Sequence, residues 1–348
     1  MAIKNRKRAI VEAVEFKENG QVIKQLPQDN PLRRISLHGK FVIDTATTIG
    51  VGIKQDSILN LVKRIQVRLN GSDNIFDLDL RTYFYALAFE YGTKPYLDSF
   101  VIPSASSSST FEIEIPIDFA LIRNQISDYS ALLPAHLLDS LDLIIDWGAI
   151  SDVVTTPNDT TVNVTSTQIK LSIIEVYSNS ADGKELDEII SNLTKVYEGV
   201  EQTPITRAYT SYPADELPVQ VRPVPARHLT AIVFGLENIT DGDSTLANDV
   251  IDQIKLENVK GGGEAIFYDF FSDLNHEQKQ DFRLESDNSV GMIMLDWTDL
   301  RNGSLDNIDV DALKYKVLTK APTATKENAV RIYKKYIPQW GKPNWFYL

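Results

Sequence analysis

Two stretches of this 348-residue chain say nearly the same thing, and that constrains the fold more than any other feature. Residues 62–91 read VKRIQVRLNGSDNIFDLDLRTYFYALAFEY, and residues 251–274 read IDQIKLENVKGGGEAIFYDFFSDL. In each, an alternating strand (Ile65, Val67, Leu69; Ile254, Leu256) runs into a glycine turn (Gly71; Gly261 to Gly263). An aromatic, helix-like segment follows (Tyr83, Phe84, Tyr85, Phe89; Phe267, Tyr268, Phe270, Phe271). A second echo pairs two apolar strands that end in Asp-Trp, at Asp146-Trp147 and Asp296-Trp297. Internal repetition at this scale means one structural unit built twice. A catalyst needs one site, whereas tandem β-units build shape.

The length matches two domains of ordinary size. With 43% hydrophobic and 24% charged residues, the chain has the makings of a core and a wet surface. It contains no cysteine, which excludes disulfides, thiolate metal sites, iron–sulfur clusters and a cysteine nucleophile. No secretory signal is visible in MAIKNRKRAIVEAVEF, because Glu12 and Glu15 interrupt its apolar part. No apolar run approaches the ~18 residues of a membrane-spanning helix.

Charge is distributed unevenly. Residues 1–40 carry nine Lys/Arg and four acids, and residues 314–348 carry eight Lys/Arg and one acid, Glu327. The whole chain is nevertheless at −13, so the acidity belongs to the middle. Basic ends on an acidic body are either ordinary solvated tails or surfaces that face an anion.

β signals dominate. Residues 33–43, 62–69, 110–117, 141–147 and 162–177 are rich in β-branched and aromatic residues with period-two stretches. Residues 110–117 alternate sharply, with Phe111, Ile113 and Ile115 against Glu112 and Glu114, as in a sheet with one wet face. The second half repeats the style at 205–212, 228–240, 250–258, 281–286, 290–297 and 308–318. Asn70-Gly71, Asp241-Gly242, Asn302-Gly303 and the serines of 104–109 punctuate these strands. Many short punctuated strands read as sandwiches or jelly rolls. Helices are expected at 77–91 and at 184–198, where Leu186, Ile189, Ile190, Leu193 and Val196 recur at helical spacing. The latter would join the halves, with the boundary near 179–204. Measured from glycine turn to tryptophan, the first half carries about 40 more residues than the second, assigned to loops within 92–140.

Chemical constellations are sparse. His38, His136, His228 and His276 stand far apart, in no metal-ligand spacing. The run Gly261-Gly262-Gly263 lacks the patterns of phosphate-binding loops. Neither Asp306, Asp309 and Asp311 nor Asp241 and Asp243 match a calcium-binding loop, and turn capping is their default role. Sequons stand at Asn70, Asn158, Asn163, Asn192, Asn238 and Asn302. No catalytic, cofactor or metal residue is assigned.

The C-terminal stretch KENAVRIYKKYIPQWGKPNWFYL says more. Val330, Tyr333 and Ile337 would line one face of a short helix. Arg331, Lys334, Lys335, Trp340, Lys342, Trp345, Phe346 and Tyr347 then form a basic aromatic tail. Such a mixture suits a lipid headgroup region or a neighbouring subunit, with nucleic acid as a third partner. Lys4, Arg6, Lys7 and Arg8 make a matching basic N-terminal arm.

Tandem β-halves, each with a strand–glycine turn–aromatic unit, a linking helix, an acidic body and basic ends resemble the double jelly-roll major capsid proteins. These belong to tailless icosahedral viruses with an internal membrane. The resemblance rests on 33–43, 62–91 and 228–297 and covers about 30–320. It implies an all-β fold of two tandem eight-stranded jelly-roll barrels with a few short helices. The divisions would be a basic arm (1–30), a first barrel (31–180), a connecting helix (181–204), a second barrel (205–320) and a basic aromatic tail (321–348). It implies a structural, non-enzymatic protein without cofactors. Homotrimers with a pseudo-hexagonal outline would pack against neighbouring capsomers and form the virion shell, assembled in the host cytoplasm. Barrel-top loops (about 92–108, 148–161 and 241–249) would face outward. Both termini would face inner-membrane lipids or minor membrane or capsid proteins, with nucleic acid disfavoured. The rival readings are a carbohydrate-active or carbohydrate-binding β-sandwich protein and another virion component such as a spike.

Overall fold

The computed structural model describes residues 3–10, 12–46, 52–99, 101, 105–119, 121–123, 126–128, 132–155, 160–178, 196–205, 216–219, 227–240, 243–258, 264–284, 290–296, 313–319 and 327–338. The chain divides into two compact units. The first comprises Met1–Phe84 and Pro95–Glu198, and the second Tyr85–Lys94 and Gly199–Gln339.

In the first unit the strands are β1 (Ile3–Ala9), β2 (Val14–Glu15), β3 (Gln21–Gln25), β4 (Leu32–Thr45), β5 (Val62–Leu69) and β6 (Asp73–Leu78). Helix α1 (Leu80–Tyr91) follows, then β7 (Ser107–Asp118), a small hairpin of β8 (Leu121–Arg123) and β9 (Ile126–Asp128), β10 (Leu141–Trp147), β11 (Thr160–Val162) and β12 (Gln168–Ser178). The second unit contains β13 (Val196–Ile205), β14 (Glu216–Val219), β15 (Arg227–Thr240), β16 (Asp243–Leu246), β17 (Ile251–Asn258) and β18 (Glu264–Phe270). Helix α2 (Phe271–Asp281), β19 (Met292–Asp296), β20 (Leu313–Thr319) and β21 (Glu327–Pro338) complete it.

Eight strands of each unit have the same order and pairing. In the first, one sheet runs β1-β12-β4-β7 and the other β3-β10-β5-β6. In the second, the sheets run β13-β21-β15-β19 and β14-β20-β17-β18. In chain order the correspondence is one-to-one, and a helix follows the fifth strand of each set. All registered pairs are antiparallel. Two four-stranded sheets connected in this way make a jelly roll, and the chain contains two of them.

Local sequence explains the strands. In β4, Leu32, Ile35, Leu37, Phe41 and Ile43 are buried and face the core, while β7 follows with Phe111, Ile113, Ile115 and Ile117. The two pair along their whole length, from Arg34 opposite Asp118 to Thr45 opposite Ser107. Gly39, opposite Ile113, is required by this packing. A Cβ there would lie 2.6 Å from the Ile113 side chain and 2.7 Å from the Phe41 ring. Asn70 and Gly71, at φ 48° and 73°, close the β5–β6 hairpin, with Ser72 N–H donating to the Leu69 carbonyl at 3.1 Å. Positive φ at both central residues is the mirror-image turn that matches strand twist. At the centre of the first core lies Trp147, edge-on to Phe16 (5.3 Å) and Phe41 (6.3 Å).

The two helices follow equivalent strands and differ in character. Asp79 caps α1, accepting from Thr82 N–H at 2.8 Å. Its residues Leu80 to Phe89 are all buried, including Arg81, whose Nε donates to the buried Asp56 carboxylate at 2.7 Å. Helix α2 buries Phe271, Leu274, Asn275 and Gln278 and exposes the rest. Gln278 is buried and makes two bonds to one residue of β19. Its amide donates to the Met294 carbonyl (2.6 Å) and accepts from the Met294 N–H (3.1 Å). This side chain satisfies the backbone edge that β15 leaves open on β19.

Several expectations change. The second aromatic segment is not a helix from Phe267. It is strand β18 through Phe270, and the helix starts at Phe271. The true repeat is therefore strand–turn–strand–helix in both units. Of the expected linking helix, residues 184–195 lie outside the described residues, and Val196 begins a strand. Residues 162–177 are two strands, split where the Asn163 side chain accepts from Ser166 N–H (3.1 Å). Residues 282–284 follow the helix, and Arg283 has φ 54°. The Asp-Trp echo is not structural, because β10 corresponds to β20 and not to β19. The apparent surplus in the first half was measured to the wrong tryptophan and shrinks accordingly. We expect Gln278→Leu to destabilise the second unit by about 2 kcal/mol or more, because two buried backbone groups lose their partner. Denaturant unfolding of the variant against the parent checks this.

Candidate functional site

Among the described residues, parts of both basic ends are barrel strands. Residues 1–30 supply two of the eight strands of the first jelly roll, β1 and β3. β1 pairs with β12 from Ile3 opposite Ser178 to Ala9 opposite Ser172. Arg6 and Arg8, two apart on a strand, share one face. Both reach Glu175 of β12, whose side chain is completely buried. Arg6 donates to Glu175 Oε2 through Nε (2.8 Å) and Nη2 (2.5 Å), and Arg8 Nη1 stands 3.5 Å from Oε1. Arg8 also binds Asp29 at 2.6 Å, and that hydrogen bond holds its guanidinium pKa above the ordinary arginine value. Lys4 and Lys7 occupy the positions opposite Tyr177 and Ile174. Sequence reasoning missed this clamp. Its only trace was the Arg-x-Arg spacing, which does not identify a distant glutamate.

At the other end, Arg331, Lys334 and Lys335 lie in β21, opposite Gly235, Ile232 and Ala231 of β15. The expected helix around Val330, Tyr333 and Ile337 is a twelve-residue strand. Pairing along nearly all of β15 overrides the weak helical pattern of this segment, which is rich in β-branched and aromatic residues. Trp340, Lys342, Trp345, Phe346 and Tyr347 lie outside the described residues. The structure thus brings Arg6 and Arg8 together around one carboxylate and places the three C-terminal cations on a single barrel strand.

Other candidates resolve as structure. His38 lies 3.4 Å from Ser172 Oγ and 3.8 Å from Glu114 Oε1. His136 sits in a 3₁₀ turn, His228 in β15 and His276 in α2. Among the described residues, no three His, Asp or Glu side chains gather as a metal site, and no helix is long and apolar enough to cross a membrane. Gly261 to Gly263 and Asp306, Asp309 and Asp311 lie outside the described residues, as do Asp241 and the Asn158, Asn192 and Asn302 sequons. Asp243 begins β16. The Asn238 side chain is buried and donates to Asp249 at 2.9 Å. Asn70 accepts from Asp139 N–H at 2.8 Å, and Asn163 donates to Asp44 at 2.6 Å.

The loop after α1 is ordered by β7. Asp98 N–H donates to the Glu112 carbonyl (3.0 Å) and Glu114 N–H to the Tyr96 carbonyl (3.1 Å), so residues 96–98 cover the outer edge of β7. Tyr96 donates its hydroxyl to Asp98 (2.5 Å). That bond, then the Glu112 N–H, hold the Asp98 carboxyl below its ordinary pKa, and the bond to Asp98 raises the tyrosine.

The outer face of the β3-β10-β5-β6 sheet carries a lattice of polar bonds. Arg64 makes two bonds to Asp77, each 2.5 Å, and Gln66 adds a third at 3.0 Å. Gln21 donates to Asp146 at 2.8 Å, and Arg68 stands 3.5 Å from Asp142. Arg64 is pushed above the ordinary arginine pKa, first by the bond to Asp77. These groups fix side chains on a flat surface and arrange no nucleophile beside a base. Arg6→Ala should loosen β1 by about 1–3 kcal/mol, a figure reduced from that of a fully buried pair because Arg6 is half-exposed. Hydrogen exchange of the Ile3–Ala9 amides checks this, with Lys7→Ala expected to leave their protection unchanged.

No known family matches the chain by sequence, and no curated protein does. Solved structures do. The major capsid protein of STIV, Sulfolobus Turreted Icosahedral Virus, matches with a TM-score of 0.71 at 15% identity, covering 96% of each chain. The Faustovirus major capsid protein matches with a TM-score of 0.61 at 8% identity, covering 98% of this chain and 91% of that one. The major capsid protein P2 of bacteriophage PM2 matches with a TM-score of 0.56 at 12% identity, covering 97% and 99%. At these identities the likeness is one of fold, and it runs across both units. The chain has the all-β double jelly-roll fold of these viral major capsid proteins.

Proposed function

We propose that this protein is a major capsid protein, a structural component of a virion with no catalytic role. The observation that carries the reading is the repeated eight-strand connectivity, shared with capsid proteins across 96% of the chain. Duplication makes geometric sense in a shell. Two similar barrels per chain, taken three times, give six similar corners, and such a block tiles a hexagonal lattice. The protein therefore forms pseudo-hexagonal homotrimers, held to each other and to neighbouring capsomers by buried surface and symmetry. The excess of Lys and Arg at both ends supports termini that face an inner membrane or its minor proteins, with Trp340, Trp345, Phe346 and Tyr347 suited to the lipid interface. Assembly takes place in the host cytoplasm.

The native mass of the purified protein tests the reading. A trimer of about 117 kDa, three times the 39.1 kDa chain, with hexagonal outlines in negative stain is the expected result. A chain that stays monomeric at high concentration would sink it, and polysaccharide binding by that monomer would favour a carbohydrate-directed sandwich. Removing 339–348 should abolish flotation with anionic liposomes and leave the barrels folded. A longer truncation is uninformative, because Glu327–Pro338 is a barrel strand.

A further inference from the structure

The sheet β1-β12-β4-β7 has two edges, and the chain treats them differently. The β7 edge is closed residue by residue from Glu112 to Pro116. Glu112 gives both outward backbone groups to Asp98. Its carbonyl accepts from the Asp98 N–H at 3.0 Å, and its N–H donates to the Asp98 carboxylate at 2.7 Å. Glu114 N–H donates to the Tyr96 carbonyl at 3.1 Å. Pro116 has no N–H, and its carbonyl accepts from the Tyr83 hydroxyl at 2.8 Å.

The β1 edge is open. One step beyond the pair Ala9 and Ser172, the Ile10 N–H donates to the Leu171 carbonyl at 2.9 Å. In an antiparallel pair, residues that exchange bonds alternate with residues whose backbone groups point away. Counting back from Ile10, residues Arg8, Arg6 and Lys4 bond to β12, while Ala9, Lys7, Asn5 and Ile3 turn their N–H and C=O groups outward. The far side of β12 agrees, since Val176, opposite Asn5, sends its N–H away from β1 to the Pro31 carbonyl at 2.9 Å. Among the described residues, β12 is the only strand that pairs with β1. Neither face of β1 is covered, because Arg6, Lys7, Arg8 and Ala9 are all exposed.

Its charge is of one sign. β1 holds Lys4, Arg6, Lys7 and Arg8 and no acid. Glu175 engages Arg6 and Arg8, yet these side chains stay 54% and 43% exposed. Lys7 makes no ion pair among the described residues. The equivalent edge strand β13 contains Glu198 and Glu201 and no Lys or Arg, so the fold itself does not require cations at this edge. A second β1 laid alongside the first would oppose like charges, which disfavours self-pairing. An open ladder lined by cations selects an extended strand that carries carboxylates. Main-chain bonds then supply affinity, and the charges supply selectivity.

We propose that β1 is a docking edge for an extended acidic segment of a different polypeptide, which adds as a further strand beside it. The segment bonds to the outward groups of Asn5, Lys7 and Ala9 and sets its carboxylates against Arg6, Lys7 and Arg8. A lipid surface matches the charge but leaves the backbone groups unused. The inference concerns this sheet alone and stands whether or not the chain trimerises. Within the capsid reading, the partner is a second virion protein.

Hydrogen exchange of the full chain, with and without a short synthetic peptide of alternating glutamate and threonine, tests it. The amides of Asn5, Lys7 and Ala9 should gain protection on binding, while those of Arg6 and Arg8, already bonded to β12, change little. Lys7→Pro removes one outward N–H and spares the bonds to β12, so it should weaken peptide binding about tenfold, the effect of ~1.4 kcal/mol. Lys7→Ala keeps the N–H and loses one exposed charge, so it should weaken binding by less than about fivefold. If the peptide binds without protecting Asn5, Lys7 and Ala9, or if the two variants weaken it equally, charge alone holds the peptide and the inference falls. It falls equally if the parent leaves the acidic peptide unbound, whether or not it binds phosphatidylglycerol vesicles. Protection of the same amides in the parent alone, rising with its concentration, assigns the edge to a second copy and overturns the partner class.

Discussion

Each unit depends on its first strand lying beside its last. β1 hydrogen-bonds to β12 across 169 residues of sequence at the Arg6–Glu175 pair, and β13 lies beside β21. A jelly roll is complete only when its first and last strands are both in place, so Ile3–Ala9 and Glu327–Pro338 are not appendages. The ion pairs follow from this. Glu175 is buried by the strand that brings its cations, and a carboxylate buried away from water needs a partner. Topology of this kind closes long loops before its contacts form, which makes folding slow.

The repeat is stronger in topology than in sequence. Eight strands and a helix recur in the same order, yet the side chains at equivalent places have different tasks. Helix α1 is buried all round, and its second half, from Tyr85, belongs with the second unit, where Phe89 meets Phe282 edge-on at 5.5 Å. Helix α2 is amphipathic and uses the Gln278 amide to finish an edge. The outer edge of β7 is finished differently, by backbone bonds from residues 96–98. Both solutions meet one requirement, that strand edges be covered. The edge strand β14 contains Pro218, which has no N–H to offer, and the edge strand β1 bears Lys4, Arg6, Lys7 and Arg8.

Much of the β architecture was legible in the chain. Alternation in 110–117 depends on one buried face and survives folding in β7, whereas in β5 Ile65, Val67 and Leu69 are buried as expected but Gln66 between them is buried too. The Asn-Gly turn and the helix after Asp79 depend on local chemistry and were readable for the same reason. The errors share a cause. Residues 327–338 and 264–270 have patterns that fit either a short helix or a strand, and pairing with β15 and β17 decided between them. The Asp-Trp echo misled because two similar words sat at non-equivalent strands, a distinction that exists only in sheet order.

The sequence by itself determined that the chain is β-rich, that it contains two like units, and that it lacks cysteine chemistry. These are properties of composition and short periodicity, which neighbouring residues carry together. Only the tertiary structure decided which strands pair, that Ile3–Ala9 and Glu327–Pro338 in the basic ends are barrel strands, and that Arg6 and Arg8 converge on Glu175. Those outcomes depend on residues far apart in sequence, and register between distant strands is set by the closing of the whole sheet.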